Sequence, residues 1–292
     1  MDFLRPATWA EALTARAERP DAVPIAGGTD VMVELNFDRH RPGALIDLNR
    51  IPALQEWSRD ADGTIRLGAS VPYTRIIDEL RADLPGLAMA SRTVGSPQIR
   101  NRGGVGGNLG AASPAGDTHP VLVATEAVVE VESAARGVRT IPATEFYLGV
   151  KRNAMEKDEL IKAVLLAPKK GPQQFSKIGT RNAMVIAVCS FAVALDVGAR
   201  KVGAGIGSAA PTPRRAFEAE LFVADELPWD GRGDLDLDPR IAKRFGELVS
   251  AAAAPIDDVR GTAAYRRHAL SVMARRTLTW AWREYQSSKE LI

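Results

Sequence analysis

The sequence predicts an α+β protein built from two domains, and three observations carry that expectation. Short strand-like runs alternate with amphipathic helical stretches over roughly the first 168 residues. The charged glycine–proline segment Lys169-Lys170-Gly171-Pro172, which holds no apolar residue, then breaks the pattern and reads as a linker. Beyond it, three strand-like segments precede two helical ones, the signature of a small sheet backed by helices.

Each element has its own warrant. Trp9, Ala10, Leu13 and Ala17 recur at helical spacing within residues 7–19, behind a Thr8 suited to cap the helix. Residues 22–26 read as a strand running into Gly27-Gly28-Thr29-Asp30, and Val31-Met32-Val33 follow as a helix start. Such a junction turns backbone amides toward a bound anion, or is simply a tight turn with a Thr/Asp cap. Residues 44–48 and 63–69 are short strands, and residues 73–80 and 87–93 are helices. Residues 121–126 suit a buried helix, 127–131 alternate as a strand, and 139–142 and 159–166 supply two more strands. After the linker come strands at 174–178, 185–196 and 201–207, the last ended by Ala210-Pro211-Thr212-Pro213. Helices over 241–254 and 263–285 close the chain.

Bulk properties remove several function classes. Among 292 residues, 38 Lys and Arg face 36 Asp and Glu, a net charge of +2 with interspersed signs, so neither nucleic acid nor an anionic membrane is an expected partner. The single cysteine, Cys189, rules out an intrachain disulfide, a cysteine-held cluster and a CxxC redox pair, and fits a reducing cytoplasm. No basic leader with a long apolar run opens the chain, and no apolar stretch approaches the ~20 residues of a membrane span. The expectation is a cytoplasmic protein without a span.

The densest signal is at residues 100–117, where five glycines fall between Gly103 and Gly110. They leave the backbone bare and free to take positive φ, so that its N–H groups can line an anion nest; the alternative is a mobile glycine loop. Spacing excludes the common nucleotide motifs. Gly107 is followed by Asn108-Leu109 rather than by the Lys and Ser/Thr of a Walker loop. A Rossmann fingerprint begun at Gly104 meets Leu109 in place of its third glycine, and one begun at Gly203 ends on Ser208. His40, His119 and His268 lack metal-ligand spacing, and no serine elbow or base-paired cysteine suggests a nucleophile. Two glycine loops, each with an acidic residue downstream, remain; closed on one pyrophosphate, they suit a dinucleotide such as FAD.

The motifs Pro24-Ile25-Ala26-Gly27-Gly28-Thr29-Asp30, 98–108 and Ser113-Pro114-Ala115-Gly116-Asp117 resemble the FAD-binding medium subunit of molybdenum hydroxylases, the xanthine dehydrogenase and carbon monoxide dehydrogenase family. Phe175-Ser176-Lys177-Ile178-Gly179, Arg181-Asn182-Ala183-Met184, 210–213 and 258–276 resemble its later signatures, so the likeness spans the chain. The resemblance implies a two-subdomain FAD-binding fold of the vanillyl-alcohol oxidase (PCMH) type over residues 1–170, with subdomains of about 1–56 and 57–170. A small α+β domain with a three-stranded antiparallel sheet follows at 174–287. It also implies that Pro24, Ile25, Ala26, Gly27, Gly28, Thr29, Asp30 and Val31 wrap the FAD pyrophosphate, with Gly104, Val105, Gly106, Gly107 and Asn108 as the second phosphate loop. Asp117 would bind hydroxyls of the flavin nucleotide, Ile161 pack near the cofactor, and Lys177 lie by the isoalloxazine edge, its charge favouring a reduced, anionic flavin.

Gly104 stands where the family commonly has threonine, and Val185 where it often has aspartate. With no histidine in either glycine loop, FAD is expected to be held noncovalently. The implied function is electron transfer from [2Fe-2S] clusters of a small partner chain, through FAD here, to an external acceptor. Substrate is hydroxylated at the molybdenum cofactor of a large partner chain, within a dimer of heterotrimers. This chain then carries no catalytic residue and no metal. A stand-alone flavin oxidase or reductase of the same fold is the alternative.

Overall fold

The computed structural model describes residues 1–39, 41–230 and 235–289; His40, weighed above as a metal ligand, lies outside them. The chain opens with β1 (Asp2–Leu4), α1 (Trp9–Glu18), β2 (Val23–Ile25), α2 (Val31–Asn36) and β3 (Ala44–Asp47). Thr8 caps α1 as its spacing predicts, accepting a hydrogen bond from the Glu11 amide at 3.2 Å. Strands β1, β3 and β2 form a parallel sheet in that order.

A second layer comprises β4 (Trp57–Arg59), β5 (Ile65–Gly68), α3 (Tyr73–Glu79), α4 (Pro85–Thr93), α5 (Pro97–Arg100), α6 (Val105–Ala111), α7 (His119–Ala124), β6 (Val128–Ser133), β7 (Gly137–Pro142), α8 (Ala143–Phe146), β8 (Tyr147–Gly149), β9 (Arg152–Asn153) and β10 (Leu160–Leu166). Its antiparallel sheet runs β4-β5-β10-β6-β7, with a bulge in β10 between Ile161 and Ala163. Alternation in β6 is what the sequence predicts: Val129 and Val131 are buried while Val128 and Glu130 are half-exposed. One core joins both layers through Ile46, Leu67, Ile76, Leu109, Val129 and Phe146.

The remaining elements are β11 (Gln173–Gly179), β12 (Ala187–Asp196), β13 (Lys201–Gly207), β14 (Arg214–Arg215), α9 (Phe217–Glu226), α10 (Pro239–Ala252) and α11 (Ala263–Lys289). Strand β12 is buried from Ala187 to Leu195 between α11 and α7, which is why its sequence is an unbroken apolar run rather than an alternating one. Phe191, Ile206, Phe245, Leu270 and Trp282 centre the second core.

The structure corrects several expectations. The C-terminal sheet has a fourth, two-residue strand, because the turn through Pro211 and Pro213 returns Arg214 and Arg215 to pair with Ile206 and Gly205. Helix α9 was not predicted: Ala219 and Val223 are its buried side while Phe217 and Leu221 face outward, so no apolar stripe marks it. The strand expected from residue 185 begins at Ala187, because Met184 takes φ +50° and Arg181 Nε donates to the carbonyls of Ala183 and Met184, curling the preceding loop. Finally, residues 105–111 of the glycine-rich stretch are helix.

Candidate functional site

The first glycine loop leaves the C-terminal end of β2, where parallel strands deliver their ligand-facing loops. Gly28 takes φ +74°, the left-handed turn that lets its carbonyl accept from Met32 and start α2. Asp30, at the helix start, makes no capping bond with its side chain, so the expected Asp cap is absent. Asn49 braces the loop from just past β3, its Nδ2 donating to Ala26 O at 2.7 Å and to Asp47 Oδ1 at 2.6 Å.

The second loop touches the first. A Cβ on Gly27 would lie 1.9 Å from Arg102 O, and one on Gly103 would lie 3.3 Å from Thr29 Oγ1. Arg102 in turn donates to Asn49 Oδ1 at 3.1 Å. The expected positive φ angles are not found here: Gly104 is extended at φ −145°, residues 105–111 are helical, and the left-handed residue is Ala112 at φ +44°. The glycines serve close approach instead. A Cβ on Gly104 would meet Val71 O at 2.5 Å, and one on Gly106 would meet Ala69 O at 2.4 Å. Gly107 differs: apart from its chain neighbours and the backbone of its own helix, no atom of the described residues lies within 4 Å of its missing Cβ. Backbone bareness at Gly107 therefore leaves space, whereas at Gly104 and Gly106 it permits packing.

Past α6 the chain forms the wall of a cavity of about 230 Å³, lined among others by Gly95, Asn108, Gly116, Asp117 and Val185. Asp117 Oδ2 accepts from Lys177 Nζ at 2.6 Å and from Thr93 Oγ1 at 3.0 Å, and Lys177 also donates to Thr93 O at 3.1 Å. The pair is buried, with 7% and 9% of its side chains exposed, so Lys177 is no solvated strand residue. Burial raises the Asp117 carboxyl above its ordinary range, against the pull of the Lys177 charge and the Lys177 and Thr93 hydrogen bonds. Asp117 Oδ1 is buried without a partner among the described residues. Such an acceptor is costly unless a ligand donates to it.

The structure thus brings together both glycine loops, Asp117 and Lys177, with Ile161 beneath α6, its Cδ1 3.9 Å from a Cβ placed on Gly110. Val105 has a different position from its neighbours, its side chain being part of the core. Val185 folds onto Gly179, where a Cβ would lie 2.2 Å from its Cγ1. His119 is wholly buried, its ring tilted by 47° against that of Tyr147 with centroids 4.7 Å apart, and desolvation pushes its imidazole down to about 4. Thr93, Asn49 and Thr118 escaped the sequence reading, since only tertiary contact gives them their partners there, and Arg102, although inside the second motif, carried no expected role. Among the described residues no His, Cys, Asp and Glu cluster could hold a metal.

Residues 1–169 match the family described as FAD binding domain in molybdopterin dehydrogenase, and residues 174–281 match the CO dehydrogenase flavoprotein C-terminal domain. A putative xanthine dehydrogenase FAD-binding subunit of Escherichia coli strain K12 is 29% identical, over 96% of this chain and 95% of that protein. The nicotinate dehydrogenase FAD-subunit of Eubacterium barkeri is 35% identical over 67% of this chain and 69% of its own. In a solved structure of reconstituted CO dehydrogenase from Oligotropha carboxidovorans, one chain superposes with a TM-score of 0.89 at 27% identity, covering 97% of this chain and 98% of that one.

Proposed function

We propose a role for this chain from the premise that it belongs to the family of FAD-binding subunits of molybdopterin dehydrogenases: it is the electron-transfer subunit of a molybdenum-containing hydroxylase, an oxidoreductase with large and small partner chains. Two observations carry the reading: the two glycine loops meet at Gly27 and Arg102, and Asn108 of the second loop shares a cavity with the buried Asp117, whose Oδ1 has no partner among the described residues. The residues present fit FAD, because bare backbone at Gly107 offers room and Asp117 offers an acceptor for a ribose or ribityl hydroxyl. Bound FAD supplies the exchange between one-electron iron–sulfur carriers in a partner and an external two-electron acceptor.

The chain's own residues do the holding. Residues 24–31 and 104–108 are the two phosphate loops, with the α6 N-terminus favouring negative charge. Gly27 keeps the loops in contact, and Asn49 fixes the first of them. Ile161 closes the floor below α6. Lys177, anchored on Thr93 O and Asp117, places a cation at the cavity that Asp117 lines and lowers the cost of negative charge there. In this reading residues 1–170 form the FAD-binding unit, in subdomains of about 1–56 and 57–170, residues 174–287 form the second domain, and the assembly is a cytoplasmic dimer of heterotrimers. A chain with one cysteine can form no intrachain disulfide, which is compatible with that location; Cys189 itself is buried, and desolvation pushes its thiol up to about 12.

Reconstitution tests the reading. The purified chain incubated with FAD and desalted is expected to retain one flavin per chain, released into the supernatant by acid precipitation. Colourless protein after desalting would contradict FAD binding, and flavin that stays with the precipitate would contradict noncovalent attachment.

A further inference from the structure

Asn108 is held by two buried residues, one on its backbone carbonyl and one on its side-chain amide, neither of which lines the cavity. Asn108 N donates to Gly104 O at 3.2 Å, and Asn108 O accepts from Ala112 N at 3.1 Å and from the His119 Nε2–H at 3.3 Å. Its side-chain Oδ1 accepts from Thr118 Oγ1 at 2.9 Å. Thr118 and His119 are both 0% exposed, so these bonds are shielded from water. Of the polar atoms of Asn108, Nδ2 alone, with two N–H groups, has no partner among the described residues, and Asn108 lines the 230 Å³ cavity.

Orientation of a carboxamide is decided by such a bond. A terminal amide is close to two-fold symmetric in shape, and whichever of its two ends meets a fixed partner leaves the other for the ligand. With Oδ1 tied to the Thr118 hydroxyl, the cavity receives donors. If that bond were lost, the amide could turn and offer Oδ1 to an anion, an acceptor facing an acceptor. The buried phenol of Tyr73, kept protonated because burial raises its hydroxyl, sits beside Thr118 and adds no competing charge.

We infer that Thr118 is a positioning residue: its hydroxyl fixes the Asn108 amide so that Nδ2 donates to an acceptor-rich part of the dinucleotide, and Thr118 itself touches no ligand. The inference deepens the FAD reading and rests on it. No motif pairs these residues; residue 118 reaches Asn108 only because the chain doubles back from the end of α6 into α7.

The test uses the full chain and the variants Thr118→Val, isosteric but without the hydroxyl, and Thr118→Ser, which keeps it. Calorimetric titration with FAD is read beside the side-chain amide resonances of Asn108 in ¹H–¹⁵N spectra of the flavin-free protein. Thr118→Val is expected to weaken FAD about tenfold and to shift the Asn108 amide pair, and Thr118→Ser to bring both back to within twofold of wild type and to the wild-type shifts. A wild-type affinity in Thr118→Val, a loss that Thr118→Ser does not recover, or Asn108 resonances indifferent to both changes would overturn the positioning role. A wild-type chain that takes up no FAD would overturn the functional reading itself.

Discussion

At the scale of single residues, the site is set by buried groups whose charges are balanced locally. Lys177 and Asp117 are a buried pair, so removing one partner strands the other, a change that typically costs 3–5 kcal/mol. Lys177→Met takes away what opposes burial and raises the Asp117 carboxyl further above its unfolded value. A carboxyl raised by folding favours the native state below the unfolded pKa and loses that contribution as pH rises through the folded one. Lys177→Met is therefore expected to lose more stability at pH 8 than at pH 5, by about 2 kcal/mol or more in urea unfolding; equal losses would contradict the coupling. His119 works in the opposite sense. Its folded value is depressed to about 4 from 6.5, so its contribution is present above 6.5 and is lost as pH falls toward 4. That loss amounts to about 3 kcal/mol at the limit, and His119→Gln should flatten the stability curve across this window. The motif resemblance pointed to Asp117 and Lys177 separately, but their mutual bond was not legible, because 60 residues separate them.

At the scale of elements, glycine has three different uses within one site. Gly28 needs its positive φ, Gly27, Gly104 and Gly106 need the absence of a Cβ against backbone, and Gly107 leaves open space. Gly27→Ala is expected to push Arg102 O away and separate the two loops, abolishing FAD uptake with a lowered unfolding midpoint. Gly104→Thr, the residue common in the family, requires the Pro72–Gly104 bridge to move, since its Cβ would fall 2.5 Å from Val71 O. Flavin titration is expected to show weaker binding in Gly104→Thr than in wild type; tighter binding would mean that the threonine hydroxyl outweighs the displaced backbone. Sequence reasoning located both loops and the strand β12 because glycine density and an apolar run are local signals. It mistook the mechanism at residues 103–110, since a seven-residue helix with three glycines has poor intrinsic propensity and forms here through packing on Ala69 and Leu109's burial in the core. Helix α9 was missed for the related reason that its outward residues are as apolar as its inward ones.

At the scale of the whole molecule, the two parts of the chain are packed too closely to behave independently. Cβ atoms on Gly203 and Gly205 of β13 would lie 1.9 Å from the carbonyls of Ala124 and Pro120 in α7, and Phe175 and Ala192 belong to the core that also holds Ile46 and Leu109. Arg215 reinforces the junction by bonding both Glu126, at the end of α7, and Glu220 of α9. Calorimetric unfolding is therefore expected to show one cooperative transition, shifted upward by FAD through mass action; two separated transitions would contradict this coupling. None of this contact was visible in the sequence, where the Lys169–Pro172 segment suggested separation. The central claim, that two touching glycine loops form one dinucleotide cleft with Gly107 as its open wall, is tested most directly by titrating wild type and Gly107→Ala with FAD while measuring the unfolding of each without flavin. Replacing a helical glycine that meets nothing within 4 Å should stabilise the flavin-free chain by about 0.5–1 kcal/mol, and the added methyl should weaken FAD at least tenfold; a more stable variant that binds FAD as tightly as wild type would contradict the claim.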